Sequence, residues 1–186
     1  MRLPYISISL STQDKNEAWK YAQEMLRNGM FSRFGLSEKQ RMDKAYIGRL
    51  GEIAFEIFLD DNGVYYEPGT YNPKTHSDNG DVIINNYSID VKTARTSRDA
   101  TSGWVFGYPV EQKPSDKDAV IIANLTNNDS ELRLFGIISG FDVSNCPISQ
   151  SNSFSGASYM TQNYEIPYSQ LEPDILSYIE THFLMH

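Results

Sequence analysis

Residues 81–93 read Asp-Val-Ile-Ile-Asn-Asn-Tyr-Ser-Ile-Asp-Val-Lys-Thr. Two apolar, β-rich runs flank an Asn-Asn pair, which is a hairpin signal. With Asn85-Asn86 as a two-residue turn, Ile84 faces Tyr87, Ile83 faces Ser88, Val82 faces Ile89 and Asp81 faces Asp90. Opposed residues point to one side of a sheet, with Cβ atoms about 4.5–5.5 Å apart. Side chains alternate along a strand, so Lys92 joins Asp90. One face then carries Asp81, Ile83, Ser88, Asp90 and Lys92, and the other carries the core residues Val82, Ile84, Tyr87, Ile89 and Val91.

Two facing carboxylates repel. At about 5 Å and an effective dielectric near 20, the repulsion is roughly 3 kcal/mol. Lys92 supplies part of the compensating charge. A divalent cation supplies more, and oxygen ligands of this kind suit Mg²⁺ or Mn²⁺. The alternative is a solvated hairpin face screened by water, and a register slip of one residue would break the pair.

A helix supplies a third carboxylate. Ser37 with Gln40 forms a capping box, and the helix should run to Asp60-Asp61-Asn62-Gly63. Tyr46, Ile47, Leu50, Ile53, Ala54, Ile57 and Phe58 recur at helical spacing. Glu52 lies far round from that stripe, beside Gly48 and Gly51. Glycine in a helix interior costs about 1 kcal/mol, so two of them around one Glu want a reason. Either Glu52 points into a crowded site that another backbone approaches closely, or it is a surface Glu.

Elsewhere, Ile6 to Leu10 reads as a strand, and Ser11-Thr12 caps a helix from about Gln13 to Asn28-Gly29. Phe31 to Leu36 looks like loop. Val64 to Glu67 reads as a short strand, and Pro68 to Gly80 as loop. Further strands are expected at Trp104 to Tyr108, Ala119 to Leu125 and Leu132 to Ser139. Ser144 to Asn163 is rich in Ser, Asn and Gln and is expected to be a mobile loop. Tyr164 to Pro167 and a helix from Pro173 to about Phe183 close the chain. The expected organisation is one domain: an N-terminal extension (1–36), a core (37–143), a flexible loop (144–163) and a C-terminal strand and helix (164–186).

Gly51-Glu52 on a helix, then Gly80-Asp81, then Ile89-Asp90-Val91-Lys92, resembles the PD-(D/E)XK nuclease superfamily. That family includes restriction endonucleases, Holliday-junction resolvases and repair or phage exonucleases. The resemblance implies an α/β fold with a restriction-endonuclease-like core, a central mixed β-sheet flanked by helices. The family core runs helix, three-strand meander, helix, strand. The match spans about Ser37 to Lys92, and extends more loosely through the strands at Trp104 and Ala119. It departs from the family at Gly80, where the motif has proline. It departs again after the third strand, where residues 94–103 leave room for only a short helix.

The resemblance implies a Mg²⁺-dependent endonuclease, with Mn²⁺ as substitute, that cleaves DNA to leave 5′-phosphates. Asp81 and Asp90 would be metal ligands, Glu52 a further ligand, and the Val91 carbonyl would fill a similar role. Lys92 would orient or activate the attacking water and help neutralise the phosphate. Basic residues near the site, Arg49, Lys74, Arg95, Arg98 and Lys113, would contact the nucleic acid. Tyr65, Tyr66, Trp104 and Tyr108 would stack on bases or, as aromatics more often do, pack in the core. A restriction enzyme cutting both strands would be a homodimer. The competing reading is a non-catalytic nucleic-acid-binding or protein-assembly module on a nuclease-like fold.

Charge bears on that choice. The chain of 186 residues carries 16 basic and 24 acidic side chains, net -8, whereas nucleic-acid binders usually show a basic footprint. The imbalance lies in residues 118–186, which hold Arg133 against eight acids. Residues 27–49 hold six basic side chains and two acids, so a basic N-terminal face is compatible with the total. No apolar run is long enough for a membrane helix, and the start lacks a signal-peptide pattern, so a cytoplasmic protein without membrane association is expected. A single cysteine, Cys146, excludes an internal disulfide framework and a cysteine-based zinc site. His76 is read as a solvated loop residue, and Cys146 as no catalytic thiol.

Overall fold

The computed structural model describes residues 2–28, 35–69, 71–72, 77–78 and 80–185. Strand β1 (Ile6–Ser9) leads into helix α1 (Thr12–Arg27), and then α2 (Glu38–Asp61). Both helices begin with a capping box, Ser11 with Asp14 and Ser37 with Gln40. Each box satisfies amide groups that a helix start otherwise leaves unpaired. Short strands follow: β2 (Glu67–Pro68), β3 (Tyr71–Asn72), β4 (Ser77–Asp78) and β5 (Val82–Ile84). The long strand β6 (Tyr87–Thr96) is followed by β7 (Val105–Pro109), β8 (Ala119–Thr126) and β9 (Glu131–Ser139). Helix α3 (Gly140–Ser144), strands β10 (Ile148–Ser151) and β11 (Ser158–Pro167), and helix α4 (Ile175–Ile179) complete the order. No helix among the described residues is long and apolar enough to cross a membrane.

The fold is α/β. Six strands form a mixed sheet in the order β1-β9-β8-β6-β5-β2, in which only β6 and β8 run parallel. Strand β8 shows why its sequence is an unbroken apolar run. Ile121, Ala123 and Leu125 enter one core, Val120 and Ile122 the other. A strand covered on both faces has no polar side to alternate with. The first core is closed by α1, α2 and the C-terminal helix. The second is closed by a three-stranded sheet, β10-β11-β7, with α3 and the segment around Tyr168.

Two expectations are corrected here. Residues 144–163 are not a loop: they contain β10 and most of β11, paired antiparallel. Strand β11 is buried on both faces at its C-terminal end: Tyr164 and Ile166 pack in the second core, while Asn163 and Glu165 are buried on the other side, so the usual apolar–polar alternation is missing from the sequence. Glu165 accepts from the Ser153 amide at 2.7 Å and from Tyr159 Oη at 3.2 Å, and so is paired where it is buried. The second correction concerns residues 64–80: the strand expected at Val64 to Glu67 is Glu67–Pro68, and the expected loop after it holds β3 and β4. After β6, the departure from the family core read from the sequence is present. Residues 97–118 hold no α-helix, and the parallel crossover from β6 to β8 passes instead through β7 and two 3-10 turns. One face of the main sheet is therefore covered by strands.

Candidate active site

The hairpin has the register the sequence predicts: Ile84 pairs with Tyr87, Ile83 with Ser88 and Val82 with Ile89. Asn85 and Asn86 take φ of 48° and 70°, the left-handed pair that matches strand twist. The regular ladder ends at the Val82–Ile89 pair; the Asp81 amide also donates to the Ile89 carbonyl at 2.9 Å, and the Asp81 side chain lies against that of Asp90. Beyond this point β5 has ended, while β6 continues to Thr96 with β8 as its ladder partner. The Val91 amide faces the vacated side and donates to Asp81 Oδ2 at 2.7 Å. The amide and carbonyl of one strand residue point the same way, so the Val91 carbonyl is directed to that notch as well.

Gly80, which stands where the family motif has proline, has φ of +107°. Proline is locked near -65° and cannot adopt it, so glycine is required by the backbone just before Asp81.

Asp90 is buried, with 1% exposure, and is held from three sides. Lys92 Nζ lies 2.8 and 2.7 Å from its two oxygens, and Tyr108 Oη donates to Oδ2 at 2.8 Å. Burial alone would raise the Asp90 pKa, but the Lys92 charge and these hydrogen bonds outweigh it and hold it below the ordinary value. Asp81 goes the other way. Burial of its carboxyl among protein atoms raises its pKa well above the usual range, and the charges of Asp90 and Glu52 raise it further. The pair is asymmetric: Asp90 stays ionised and Asp81 tends toward neutral.

Sign and window follow from that direction. A carboxyl whose pKa is raised on folding contributes stability at acid pH, and this is lost as pH rises from the unfolded value of about 3.9 through the folded one. Asp81→Asn should therefore raise the melting temperature at neutral pH in metal-free buffer, and the gain should vanish near pH 3–4. Asn retains an acceptor for Val91 and donates to Asp90. Thermal melts from pH 3 to 8 check this, and a variant less stable at every pH would contradict it.

Tyr108 is a participant the sequence did not reveal. It was a candidate for base stacking, but it is fully buried in β7, with Lys92 Nζ 5.2 Å from its ring centroid. A buried tyrosine hydroxyl needs a partner. The spacing of Trp104, Phe106 and Tyr108 marks a strand but does not say that the partner is Asp90. Trp104 packs on Phe154 and Tyr168, and Tyr66 against the first core, while Tyr65 is exposed.

Helix α2 supplies Glu52 through a close approach to β6. A Cβ at Gly51 would overlap Thr93 Oγ1 and touch Val91, whereas one at Gly48 would meet open space. Gly51 thus answers the question its sequence position raised: it lets the helix settle on the face of β6 that carries Val91 and Thr93 and brings Glu52 within electrostatic reach of Asp81 and Lys92. Burial raises the Glu52 pKa against the opposing effect of Arg49. Glu52 is engaged by that arginine, with Arg49 Nη1 2.9 Å from Oε2. Arg49 also binds Glu56 at 2.8 Å and Glu17 at 2.7 Å.

The donor set is one of hard oxygens. Asp81, Asp90 and the Val91 carbonyl converge on the notch beside β6, and the unfavourable charge on Asp81 is what a cation would offset. Among the described residues no group of three or more His, Cys, Asp or Glu is arranged to hold a metal ion. Asp81 and Asp90 lie together, with the Asp90 oxygens engaged by Lys92 and Tyr108, and Glu52 is held aside by Arg49.

The expected nucleic-acid contacts scatter. Arg49 is an internal ion-pair centre and its side chain is only 18% exposed. Arg95 points to the helix face of β6, opposite Asp90 and Lys92, and pairs with Asp43 and Asp129 at 3.0 Å each. It lines a surface cleft of about 370 Å³ with Lys15, Trp19 and Tyr46, away from the carboxylates. Arg98 and Lys113 are exposed, while Lys74 and His76 lie outside the described residues. Cys146 is buried, which pushes its thiol pKa up.

Comparison of the chain with protein-family models, with curated proteins and with solved structures finds no match.

Proposed function

We propose that the chain is a metal-dependent nuclease that hydrolyses DNA phosphodiester bonds to leave 5′-phosphates, on a restriction-endonuclease-like core. Within that class it is most like a small type II restriction endonuclease or a phage or mobile-element nuclease. One observation carries the reading. Asp81 and Asp90 sit side by side at the point where β6 loses its partner, with Lys92 locked to Asp90 at 2.7 Å and Glu52 delivered from α2. A carboxyl held beside a buried carboxylate costs folding free energy, here as a raised Asp81 pKa, and a cation between the two would offset that cost.

Asp81 and Asp90 would hold Mg²⁺, or Mn²⁺ in its place, and the ion would supply Lewis acidity toward the phosphate and lower the pKa of the attacking water. The other roles belong to the chain. Asp90 fixes the Lys92 ammonium, whose charge would meet the developing negative charge on the phosphate. Tyr108 fixes Asp90 from behind. The strand-built crossover is a departure from the family core, and it reaches the site through Tyr108, which donates to Asp90.

A second reading is favoured by one specific observation. Arg49 and Arg95, two of the expected DNA contacts, are occupied by carboxylates. A non-catalytic nucleic-acid-binding or protein-assembly module would show this, together with net charge -8. The separating experiment incubates the protein with supercoiled, linear duplex and single-stranded DNA in Mg²⁺, Mn²⁺ or EDTA, beside Lys92→Ala. Metal-dependent cutting that Lys92→Ala loses supports the nuclease. No cutting of any substrate, with no metal binding, supports the module.

A further inference from the structure

We propose that Arg49 is a positioning residue that holds Glu52 away from the cation site and yields it when a cation binds, so that the third carboxylate is recruited rather than preset. The inference rests on the metal-site reading above. The geometry of the arginine is unequal toward its partners. Glu56 engages both guanidinium nitrogens, at 2.8 and 3.3 Å. Glu17, from α1, takes Nη2 at 2.7 Å, and Glu52 takes only Nη1, at 2.9 Å, which it shares with Glu56. Releasing Glu52 would therefore remove one hydrogen bond of four and leave Arg49 paired with two carboxylates. Three carboxylates around one guanidinium also leave surplus negative charge, and a cation beside Asp81 and Asp90 would offset it.

Glu52 is placed for the exchange. Its side chain is 17% exposed, the neighbouring Gly51 seats α2 against Thr93 and Val91 of β6, and Glu52 is already within electrostatic reach of Asp81. The same arrangement accounts for the two carboxylates, rather than three, that converge before a cation is present.

A static ion pair that ties α1 to α2 would show the same distances, so the test must separate holding from mere proximity. Mn²⁺ binding is measured by calorimetry and by the electron paramagnetic resonance of the free ion, on four proteins: wild type, Glu52→Gln, Arg49→Met and the double variant. Arg49→Met is expected to tighten Mn²⁺ binding about tenfold, the worth of one charge-assisted hydrogen bond given up. That tightening is expected to disappear when Glu52 is already Gln. Arg49→Lys retains the charge but loses the two-pronged grip, and is expected to tighten binding in the same direction, more weakly. It also serves where the methionine variant folds poorly, as judged by thermal melting.

Equal tightening with and without Glu52 would overturn the inference, because Arg49 would then act through its charge alone. No tightening in either background would also overturn it and leave a static tie. Absence of Mn²⁺ binding in the wild type and every variant would instead overturn the metal-site reading on which the inference stands.

Discussion

Asp90→Asn is expected to lower metal-dependent DNA cleavage by about 10²–10³-fold or more, with little loss of fold. The substitution preserves the shape of a side chain that is 1% exposed and can still accept from Tyr108 Oη, 2.8 Å away in the native site. It removes the charge that fixes Lys92 and the charge that a cation would meet. The repulsion with Asp81 is relieved at the same time, which offsets part of what Lys92 loses. Asp90→Ala should differ in a telling way. It leaves the Lys92 ammonium and the Tyr108 hydroxyl without their shared acceptor, and removing one member of a buried pair costs roughly 3–5 kcal/mol. Initial rates on supercoiled plasmid with Mg²⁺, beside thermal melts, separate the two effects. Cleavage by Asp90→Asn at the wild-type rate would remove Asp90 from the chemistry.

The second large effect is expected at Gly51. Gly51→Ala places a methyl group where Thr93 Oγ1 now lies, with Val91 behind it. Overpacking a contact of this kind costs about 1–3 kcal/mol, and for a chain of this size each 1 kcal/mol lowers the melting temperature by roughly 2–4 °C. Any relief comes from lifting α2 off β6, which also displaces Glu52. Gly48 lies one turn earlier on the same helix and meets no neighbour, so Gly48→Ala should be neutral or stabilise by up to about 1 kcal/mol. Comparison of the two melts isolates the close approach from helix propensity. Equal melting temperatures would mean that the helix does not need to come so near.

These two residues show where the sequence is informative. The Asn-Asn turn and the Ser37–Gln40 cap are local signals, written within four residues of the structure they fix, and both appear in the fold. Counting back from the turn gives the three pairs from Ile84–Tyr87 to Val82–Ile89 and puts Asp81 near Asp90, although the ladder itself stops one residue short of that pair. Partners brought from afar were not legible. Tyr108 reaches Asp90 from a strand in the second sheet, and Glu17 reaches Arg49 from a different helix. Nothing in the residue types fixes either contact. Residues 144–163 failed for a different reason. Asn163, and Glu165 just beyond them, are buried and satisfied by hydrogen bonds, and a search for apolar alternation passes over polar positions that are buried and paired. The lack of room for a family helix after β6 was legible from length alone, and the strand found there has its own signal in Trp104, Phe106 and Tyr108.

The strand that takes that helix's place ties the site to the second core. Packed sheets stand about 10 Å apart, with their side chains filling the gap. On the Asp90 side that gap is filled by Tyr108, and on the opposite side α2 lies in contact with Thr93. Asp90 and Lys92 are thus held by the same packing that closes the second core, so a substitution that loosens β7 is felt at the carboxylate as well as in the seam between the sheets.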